Sequence, residues 1–368
     1  MLYIVFCLFI AVVTIQFFYF IIIFGGFSFF KYIKQNSQNY PISVIVCAKN
    51  ESENLKKLLP ILLKQDYPNF EIVLIDDASS DDTLDIFEEF EKLHKNIKLV
   101  KAANNEAFWG NKKFALTLGI KAATYDNLLF TDADCYPVSD QWIKEMTSNF
   151  SDKKTVILGY GAYEKIPNSF LNKIIRYETL LTAIQYFSWA RKGKPYMGVG
   201  RNLAYNRNEF FEVNGFVDHM KIRSGDDDLF INQVANKQNT AICFAPESFT
   251  KSKPKTIFSE WIAQKRRHIA TANYYKFFDK MQLFVFYSSQ ICFLILAVVL
   301  LIFQFQWIVV LSLIGFRYVF SWISIGFAAS KLKEKDVVFY FPILEITLIF
   351  SQLYLFFINI FSKPVHWK

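Results

Sequence analysis

NLLFTDADCYP, residues 127–137, joins a short apolar run to two aspartates, Asp132 and Asp134, that are separated by one residue. A short apolar run of this kind predicts a buried strand. In extended chain, residues i and i+2 point to the same side, so both carboxylates face one centre. Two close carboxylates repel each other unless one is protonated or a cation lies with them. Oxygen ligands suit Mg²⁺ or Mn²⁺, so the stretch predicts a metal site for phosphate-linked chemistry.

The chain around this stretch alternates short apolar runs with helical patterns. Strands are predicted at ISVIVCA (42–48), FEIVLIDD (70–77), IKLVKAA (97–103) and NLLF (127–130). The segments between them carry leucines and other apolar residues at helical spacing. Strands that alternate with helices predict a mostly parallel, Rossmann-like α/β sheet that is covered on both faces.

Acidic residues follow three of the predicted strands. Glu51 comes after the first strand, Asp76 and Asp77 close the second, and Asp132 and Asp134 close the fourth. Ligands of such sheets bind at the carboxyl ends of the strands, so we expect these groups to converge on one edge. The first strand is not followed by G-x-G-x-x-G, and the P-loop pattern G-x-x-x-x-G-K-[ST] does not occur, so neither nucleotide fingerprint is present.

The composition indicates a membrane protein. Of the 368 residues, 53% are hydrophobic and only 20% are charged. Residues 2–24 carry no charge, and three further apolar runs lie at about 283–305, 307–329 and 337–361. Each run is long enough to cross a hydrocarbon core, which takes about 20 helical residues. The last run is the weakest candidate because it contains Pro342 and Glu345.

Lysines in the loops set the expected orientation. Lys31 and Lys34 follow the first run, and Lys331, Lys333 and Lys335 follow the third. The positive-inside rule then places residues 31–282 and 330–336 in the cytoplasm. The formal charge of +8 indicates contact with anionic membrane lipids rather than nucleic acid, because much of the excess flanks the apolar runs.

Two further segments, 166–190 and 256–280, are aromatic and amphipathic without being long apolar runs. Such segments suit the boundary between water and lipid. We expect them to lie on the inner leaflet, so that a lipid-borne or membrane-emerging substrate reaches the acidic edge of the sheet. The five cysteines form no C-x-x-C pair and are interpreted as buried apolar side chains in a reducing compartment.

Several blocks of the chain, in this order, resemble the family 2 glycosyltransferases of the membrane-attached type, whose nucleotide-sugar domain has the GT-A fold. The blocks are VIVCAKNESENL, FEIVLIDDASSDDT, GNKKFAL, TDADCYP, GVGRNLAYNRNEFFEVNGF, SGDDDL and QKRRH. The resemblance covers residues 42–270. With the apolar runs, it predicts an N-terminal transmembrane helix at 1–30, a GT-A domain at 40–250, an interfacial segment with the family's Q-x-x-R at 251–282, and transmembrane helices at 283–361.

The resemblance also implies roles for individual residues. The donor's nucleotide end is assigned to Glu51, Asp76, Asp77 and Lys112, the D-x-D metal site to Asp132 and Asp134, and the sugar and acceptor pocket to Gly200, Arg201 and Asn202. The general base is assigned to Asp227 in the acidic run Asp226-Asp227-Asp228, and the family's Q-x-x-R to Gln264 and Arg267. His268 departs from the pattern, which has Trp there. The resemblance therefore does not establish the geometry of the acceptor side or whether polymerisation is processive.

The residues give independent support for two of these roles. Mutual repulsion in the run Asp226-Asp227-Asp228 raises at least one pKa, as a general base near neutral pH requires, although a solvated acidic loop or a helix cap is the plainer interpretation. In the run Lys265-Arg266-Arg267, an Arg fork suits a diphosphate leaving group, and a membrane-surface role is the alternative.

The sequence therefore predicts an inverting, metal-dependent enzyme in the cytoplasmic membrane. Its donor would be a nucleotide-sugar, with a UDP-sugar expected, and its acceptor a lipid-linked sugar or an envelope polysaccharide. One alternative is a processive polysaccharide synthase. The other is a non-catalytic, nucleotide-sugar-shaped subunit of an envelope assembly complex.

Overall fold

The computed structural model describes residues 1–32, 39–103, 112–222 and 224–361. Its helices are α1 (Leu2–Phe17), α2 (Gly25–Ser28), α3 (Ser52–Leu63), α4 (Thr83–Leu93), α5 (Lys112–Ala122), α6 (Trp142–Thr147), α7 (Phe170–Arg191), α8 (Arg207–Glu212), α9 (Asp228–Val234), α10 (Phe258–Thr271), α11 (Phe277–Ile302), α12 (Trp307–Lys331), α13 (Lys335–Val338) and α14 (Phe341–Phe361). Its strands are β1 (Ile42–Ala48), β2 (Phe70–Asp76), β3 (Ile97–Lys101), β4 (Asn127–Asp132), β5 (Cys135–Pro137), β6 (Val156–Leu158), β7 (Gly161–Tyr163), β8 (Leu203–Asn206), β9 (Thr240–Ile242) and β10 (Thr250–Ser252).

The described chain forms two compact units. The sheet unit is Tyr32–Lys165 with Gly193–Pro254, and the helical unit is Met1–Lys31, Ile166–Lys192 and Lys255–Lys368. The helix α7, which lies inside the expected 40–250 domain, therefore groups with the apolar helices rather than with the sheet. The sequence predicts that this segment lies at the boundary between water and lipid. Most of the residues of α7 are buried, so the helix packs as part of a helical core.

The sheet unit contains a seven-stranded sheet in the order β3-β2-β1-β4-β8-β6-β9. The four predicted strands are confirmed, and they are the four parallel neighbours at one side of the sheet. Every residue of β1 is buried, as expected for a strand between helical layers. β8 runs antiparallel to both β4 and β6, so the sheet is mixed and mostly parallel.

A smaller three-stranded sheet, in the order β5-β10-β7, belongs to the same unit. β10 pairs antiparallel with β5 and parallel with β7. These strands have three residues each, and the sequence did not predict them. Strands this short carry almost no periodic signal of their own, so only their pairing reveals them.

The helical unit contains four helical stretches that are long and apolar enough to cross a membrane: Leu2–Ser28, Phe277–Ile302, Trp307–Lys331 and Phe341–Phe361. They confirm the four apolar runs of the sequence. The first stretch joins α1 to α2 through a π-helical turn, Phe18–Ile23. Buried apolar residues of α1, α11 and α12 form one of its cores.

Polar side chains lie inside this helical core. Arg317 of α12 is 1% exposed and donates to both oxygens of Glu345 in α14, at 2.6 and 2.5 Å. Its third donor, Nε, reaches Oε1 of Gln16 in α1 at 2.5 Å. Glu345 is thus compatible with an apolar run because it faces a protein partner, as ionisable groups in such helices do.

Candidate active site

The carboxyl ends of β2, β1 and β4 bring the predicted acidic groups to one edge of the large sheet. The strand register pairs Ala48 with Asp76 on one side of β1 and Cys47 with Asp132 on the other. Neighbouring strands lie about 4.8 Å apart, so Asp76 and Asp132 lie roughly 10 Å apart across β1. This spacing suits a ligand that runs across the edge at the strand ends.

The D-x-D pair lies at the end of β4. The ligand atoms of Asp132, Asp134 and Cys135 all lie within 4.8 Å of one another. Burial raises the pKa of the Cys135 thiol well above its usual value, and the neighbouring carboxylates add to this, so the sulfur stays protonated. Desolvation by the surrounding protein and the negative charge of Asp132 raise the pKa of Asp134. A cation between the two carboxylates would relieve this repulsion. The two carboxylates therefore fit a hard divalent cation, and the thiol does not add a soft ligand.

Glu51 lies at the same edge, beyond the end of β1. Its carboxylate accepts a hydrogen bond from Asn54 Nδ2 at 2.6 Å, and its backbone N–H donates to Thr83 Oγ1 at 2.8 Å. Burial raises the pKa of Glu51, and the charges of Asp134 and Asp132 raise it further. Glu51 is thus in electrostatic contact with the D-x-D pair, as the predicted convergence requires.

Asp76 and Asp77 end β2 in different environments. Asp76 is buried, and its carboxylate accepts the backbone N–H of Ser79 at 3.2 Å, which fixes the turn after the strand. Asp77 is half-buried, and desolvation raises its pKa while Lys49 opposes that effect. Both residues lie at the same edge of the sheet as the D-x-D pair, and their contact with a donor stays a prediction.

An antiparallel strand adds Gly200 and Arg201 to the edge. β8 begins where β4 ends, with Leu203 opposite Phe130, so the turn before β8 lies beside the D-x-D pair. The guanidinium of Arg201 lies 4.4 Å from the ring centre of Tyr163 and donates to Ser252 Oγ at 3.1 Å. Arg201 therefore links the small sheet to the acidic edge.

The structure corrects the role assigned to Asn202. This side chain is fully buried, accepts a hydrogen bond from Trp142 Nε1 at 3.0 Å, and donates to the carbonyls of Tyr160 and Ser248 at 3.0 and 2.7 Å. It has no surface with which to contact a donor or an acceptor. Its amide instead holds three separate segments together beneath the site, a role that buried polar side chains with full hydrogen bonding commonly have.

Lys112 connects the two acidic motifs. Its Nζ lies 2.7 Å from Asp132 Oδ1 and 2.9 Å from Asp226 Oδ2. Although desolvation opposes the charged form, Asp132 and Asp226 raise the pKa of Lys112 well above its usual value. The ammonium is therefore permanently charged at the centre of the site, where it balances two carboxylates from segments 94 residues apart in sequence (226 minus 132).

The acidic run Asp226-Asp227-Asp228 enters α9 through a tight turn. Gly225 has φ +91°, a conformation that L side chains rarely adopt, and it turns the chain into the run. Asp227 caps α9: its Oδ1 accepts the N–H of Asp228 at 2.7 Å, and its Oδ2 accepts the N–H of Gly200 at 2.7 Å. The plainer interpretation of this run as a helix cap is confirmed, and the role of Asp227 as a base stays a prediction.

Asp227 has the titration expected of a base. Burial raises the pKa of Asp227 to about 7, and the charges of Asp226 and Asp228 add to this effect. The pKa of Asp226 is lowered instead, because Lys112 outweighs the effect of its burial. Neighbouring carboxyls with pKa values pushed apart are a pattern typical of acid–base sites. Lys112, Asp132, Gly200, Asp226 and Asp227 also line one cavity at the sheet edge.

Gln264 and Arg267 lie on α10, in the helical unit, and their proximity to a substrate stays a prediction. Their neighbours in the same run have partners within that unit. Lys265 pairs with Glu178 of α7 at 2.5 Å, and Arg266 Nε donates to Asn359 of α14 at 2.9 Å. The cationic run is thus used in part to hold α10 against two other helices.

The comparisons with known proteins agree with this geometry. Residues 43–224 match the family described as Glycosyl transferase family 2. The poly-beta-1,6-N-acetyl-D-glucosamine synthase of Staphylococcus epidermidis is 38% identical over 100 residues, which are 27% of this chain and 23% of that protein.

A second curated relative is the dolichyl N-acetyl-alpha-D-glucosaminyl phosphate 3-beta-D-2,3-diacetamido-2,3-dideoxy-beta-D-glucuronosyltransferase of Methanococcus voltae. It is 31% identical over 160 residues, which are 41% of this chain and 49% of that protein. The chain thus matches less than half of the length of either relative.

Among solved structures, the mannosyltransferase PcManGT of Pyrobaculum calidifontis, in complex with GDP-Man and Mn²⁺, superposes with a TM-score of 0.59 at 17% identity. The alignment covers 90% of this chain and 99% of that one. The sheet order and this likeness define the GT-A fold. With the family match, the conclusion is that this chain carries a family 2 glycosyltransferase domain, attached to four helices of membrane-spanning length.

Proposed function

We propose that the protein is an inverting, metal-dependent glycosyltransferase that uses a nucleotide-sugar donor, with a UDP-sugar expected. The observation that carries the proposal is the link from Asp132 through Lys112 to Asp226, directly beside Asp227. It joins a donor-side carboxylate pair to a group that titrates near neutral pH. If the D-x-D pair or the run Asp226-Asp227-Asp228 had only a structural role, an ion-pair link between them through Lys112 would not be needed.

Asp227 is the proposed general base. A base must be ionised at the working pH and still bind a proton in the transition state, which a pKa of about 7 allows. Asp227 takes the proton of the acceptor hydroxyl as the oxygen forms a bond to the anomeric carbon. The bond from that carbon to the diphosphate breaks, and the nucleoside diphosphate leaves with the electron pair. A single displacement of this kind inverts the anomeric centre.

The donor side is held by residues of the same edge. Asp132 and Asp134 would hold Mg²⁺ or Mn²⁺, which would neutralise negative charge on the diphosphate. Glu51, Asp76 and Asp77 are the proposed contacts of the nucleoside. Lys112 and Arg201 supply fixed positive charge near the D-x-D pair. Gln264 and Arg267 are proposed to reach the leaving group from α10, where an Arg fork suits phosphate oxygens.

The acceptor is proposed to be a lipid-linked sugar or an envelope polysaccharide at the cytoplasmic face of the inner membrane. Four helices of membrane-spanning length support a membrane location. The loop lysines support a cytoplasmic catalytic unit by the positive-inside rule. The names of the two relatives, a polysaccharide synthase and a dolichyl phosphate glycosyltransferase, support an acceptor of one of these classes. Anionic lipid contacts are proposed for α7 and α10.

The first test is release of nucleoside diphosphate by detergent-purified protein. Donors are UDP-, GDP- and dTDP-sugars, each with Mn²⁺, with Mg²⁺ and after chelation, in the presence of membrane lipid extract as acceptor. We expect release from one donor, loss on chelation, and loss in Asp134→Ala. Asp152→Ala, which changes an exposed aspartate of the same unit, is the matched control and should keep wild-type activity. No release from any donor would favour the non-catalytic subunit.

A processive polysaccharide synthase is the second candidate, because one relative with 38% identity in the aligned region is named as such a synthase. The product distinguishes the two candidates. A single added sugar per acceptor supports single transfer, and a ladder of lengths supports polymerisation.

A further inference from the structure

Lys113, the residue after Lys112, has an unusual environment in the sheet unit. It is 1% exposed, although lysine is rarely buried without a charged partner. Its Nζ donates to three backbone carbonyls, those of His219 at 2.8 Å, Ile222 at 2.9 Å and Ser224 at 2.8 Å. An ammonium has three N–H donors, so these carbonyls use all of them.

The three acceptors lie close together in sequence, at His219, Ile222 and Ser224, just before the turn at Gly225 and the acidic run. They are backbone atoms, so the contact fixes the path of the chain rather than one side chain. Hydrogen bonds from a charged donor are about twice as strong as neutral ones. Three such bonds hold the backbone at His219, Ile222 and Ser224 against the start of α5.

The start of α5 therefore holds the acidic run at two points. Lys112 pairs with Asp226 itself, at 2.9 Å, and Lys113 binds the backbone just before it. Burial lowers the pKa of Lys113 to about 8, and the negative charges of Asp226, Asp228 and Asp227 partly offset this by favouring the ammonium form. The positive charge and the acidic run thus stabilise each other.

We propose that Lys113 is a positioning residue for the transfer reaction: its ammonium fixes the backbone at His219, Ile222 and Ser224 and thereby positions Asp226 and Asp227 in the site. This inference rests on the proposed function, in which Asp227 is the base. It adds a residue that the family pattern does not single out, because Lys112 occupies the lysine position of that pattern. A base displaced by about 1 Å can lose roughly 100-fold in rate.

The test uses the full-length protein with Lys113→Met, which keeps the side-chain stem and removes the donors, and with Lys113→Arg, which keeps a cation. Lys121→Met is the matched control, because Lys121 is an exposed lysine at the other end of α5. The rate constant kcat is expressed per donor-binding site, which removes the effect of inactive protein. Tryptic cleavage after the exposed Lys221 is followed by mass spectrometry and reports directly on the tethered segment.

We expect Lys113→Met to lower kcat roughly 10- to 100-fold and to speed cleavage after Lys221. We also expect the acid limb of the kcat–pH profile to move to higher pH, because the acidic run loses a neighbouring positive charge. The other groups around the run, Lys112, Asp132 and His219, are unchanged in the variant. Lys113→Arg should give intermediate values, and Lys121→Met wild-type values.

Wild-type cleavage after Lys221, or an acid limb at its wild-type position, in folded Lys113→Met would overturn the proposal. If Lys113→Met does not fold, Lys113→Arg decides: faster cleavage than in the wild type supports the tether, and an unchanged rate overturns it. If the wild-type protein itself shows no turnover, the proposed function fails, and the cleavage assay still tests the tether because it needs no substrate.

Discussion

At the scale of single residues, the site depends on carboxyls of the same chemical type that have opposite titrations. Lys112 lowers the pKa of Asp226, whereas burial and two neighbouring charges raise the pKa of Asp227 to about 7. The difference comes from which carboxylate the ammonium of Lys112 contacts: it pairs with Asp226, whereas Asp227 accepts the backbone N–H groups of Gly200 and Asp228. Adjacent positions in sequence thus provide one permanent anion and one group able to exchange a proton.

This difference predicts the pH dependence of the reaction. The base must be ionised to accept a proton, so kcat should fall as the pH is lowered through about 7 and level off above it. The measurement is kcat against pH at saturating donor and metal. A profile flat down to pH 5 would show that Asp227 is not the base.

The matching variant is Asp227→Asn, which keeps the side-chain shape but cannot accept the proton. We expect kcat to fall by roughly 10²- to 10⁴-fold, the usual contribution of a positioned base, with donor binding retained. Asp152→Asn serves as the exposed control. Full activity in Asp227→Asn would assign the base elsewhere in the site.

At the scale of elements, hydrogen bonds to buried charges fix the ends of helices in the helical unit. Arg176 of α7 is 2% exposed and binds Glu334, which is also 2% exposed, and Asp336 at the start of α13. Nε of Arg176 donates to Glu334 at 2.8 Å, and Nη2 donates to Asp336 at 2.7 Å. This contact ties α7 to the segment after α12, 158 residues further along the chain.

Removing the cation should be costly, because Glu334 would remain buried without its partner. We expect Arg176→Met to lower the free energy of unfolding by about 3–5 kcal/mol, measured by thermal unfolding in detergent. Lys56→Met breaks an exposed pair with Glu53 and should change it by less than about 1 kcal/mol. The double variant Arg176→Met/Glu334→Gln should be less destabilised than the sum of its single variants; strict additivity would contradict the assignment.

At the scale of the whole molecule, apolar helices far apart in sequence are joined by a polar cluster. Gln16, Arg317 and Glu345 come from α1, α12 and α14, and all three are at most 2% exposed. In a bundle of apolar helices, packing alone specifies neighbours weakly, and hydrogen bonds between helices add specificity. The cluster therefore favours one arrangement of these three helices.

The same cluster gives a prediction for assembly of the helical unit. Glu345→Leu should destabilise the protein by about 3–5 kcal/mol because Arg317 is left buried without a carboxylate. Arg317→Leu/Glu345→Leu should recover part of that loss, since both charges are gone. Thr347→Val, two residues further along α14, should behave as wild type in the same detergent melting experiment. A double variant less stable than Glu345→Leu would contradict this account.

The sequence alone determined the parallel half of the sheet, the four apolar helices and the acidic residues at the strand ends. These features depend on local patterns: β1 is apolar at nearly every position, and the four long helices are apolar over most of their length. Such patterns are set by burial in a layer or in lipid, which the residues themselves record.

Only the tertiary structure decided the antiparallel β8, the buried role of Asn202, the bridge formed by Lys112 and the tether formed by Lys113. Each depends on which distant segments meet, and a single side chain carries no record of its partner. Asn202 is a polar residue of the type that often binds ligands, but its side chain is buried and bonds to Trp142. Lys113 looks like a surface lysine in the sequence, but its ammonium is buried and donates to three backbone carbonyls. Burial changes the role of a polar residue from binding a ligand to stabilising the fold, because a buried polar group must find its hydrogen-bond partners within the protein.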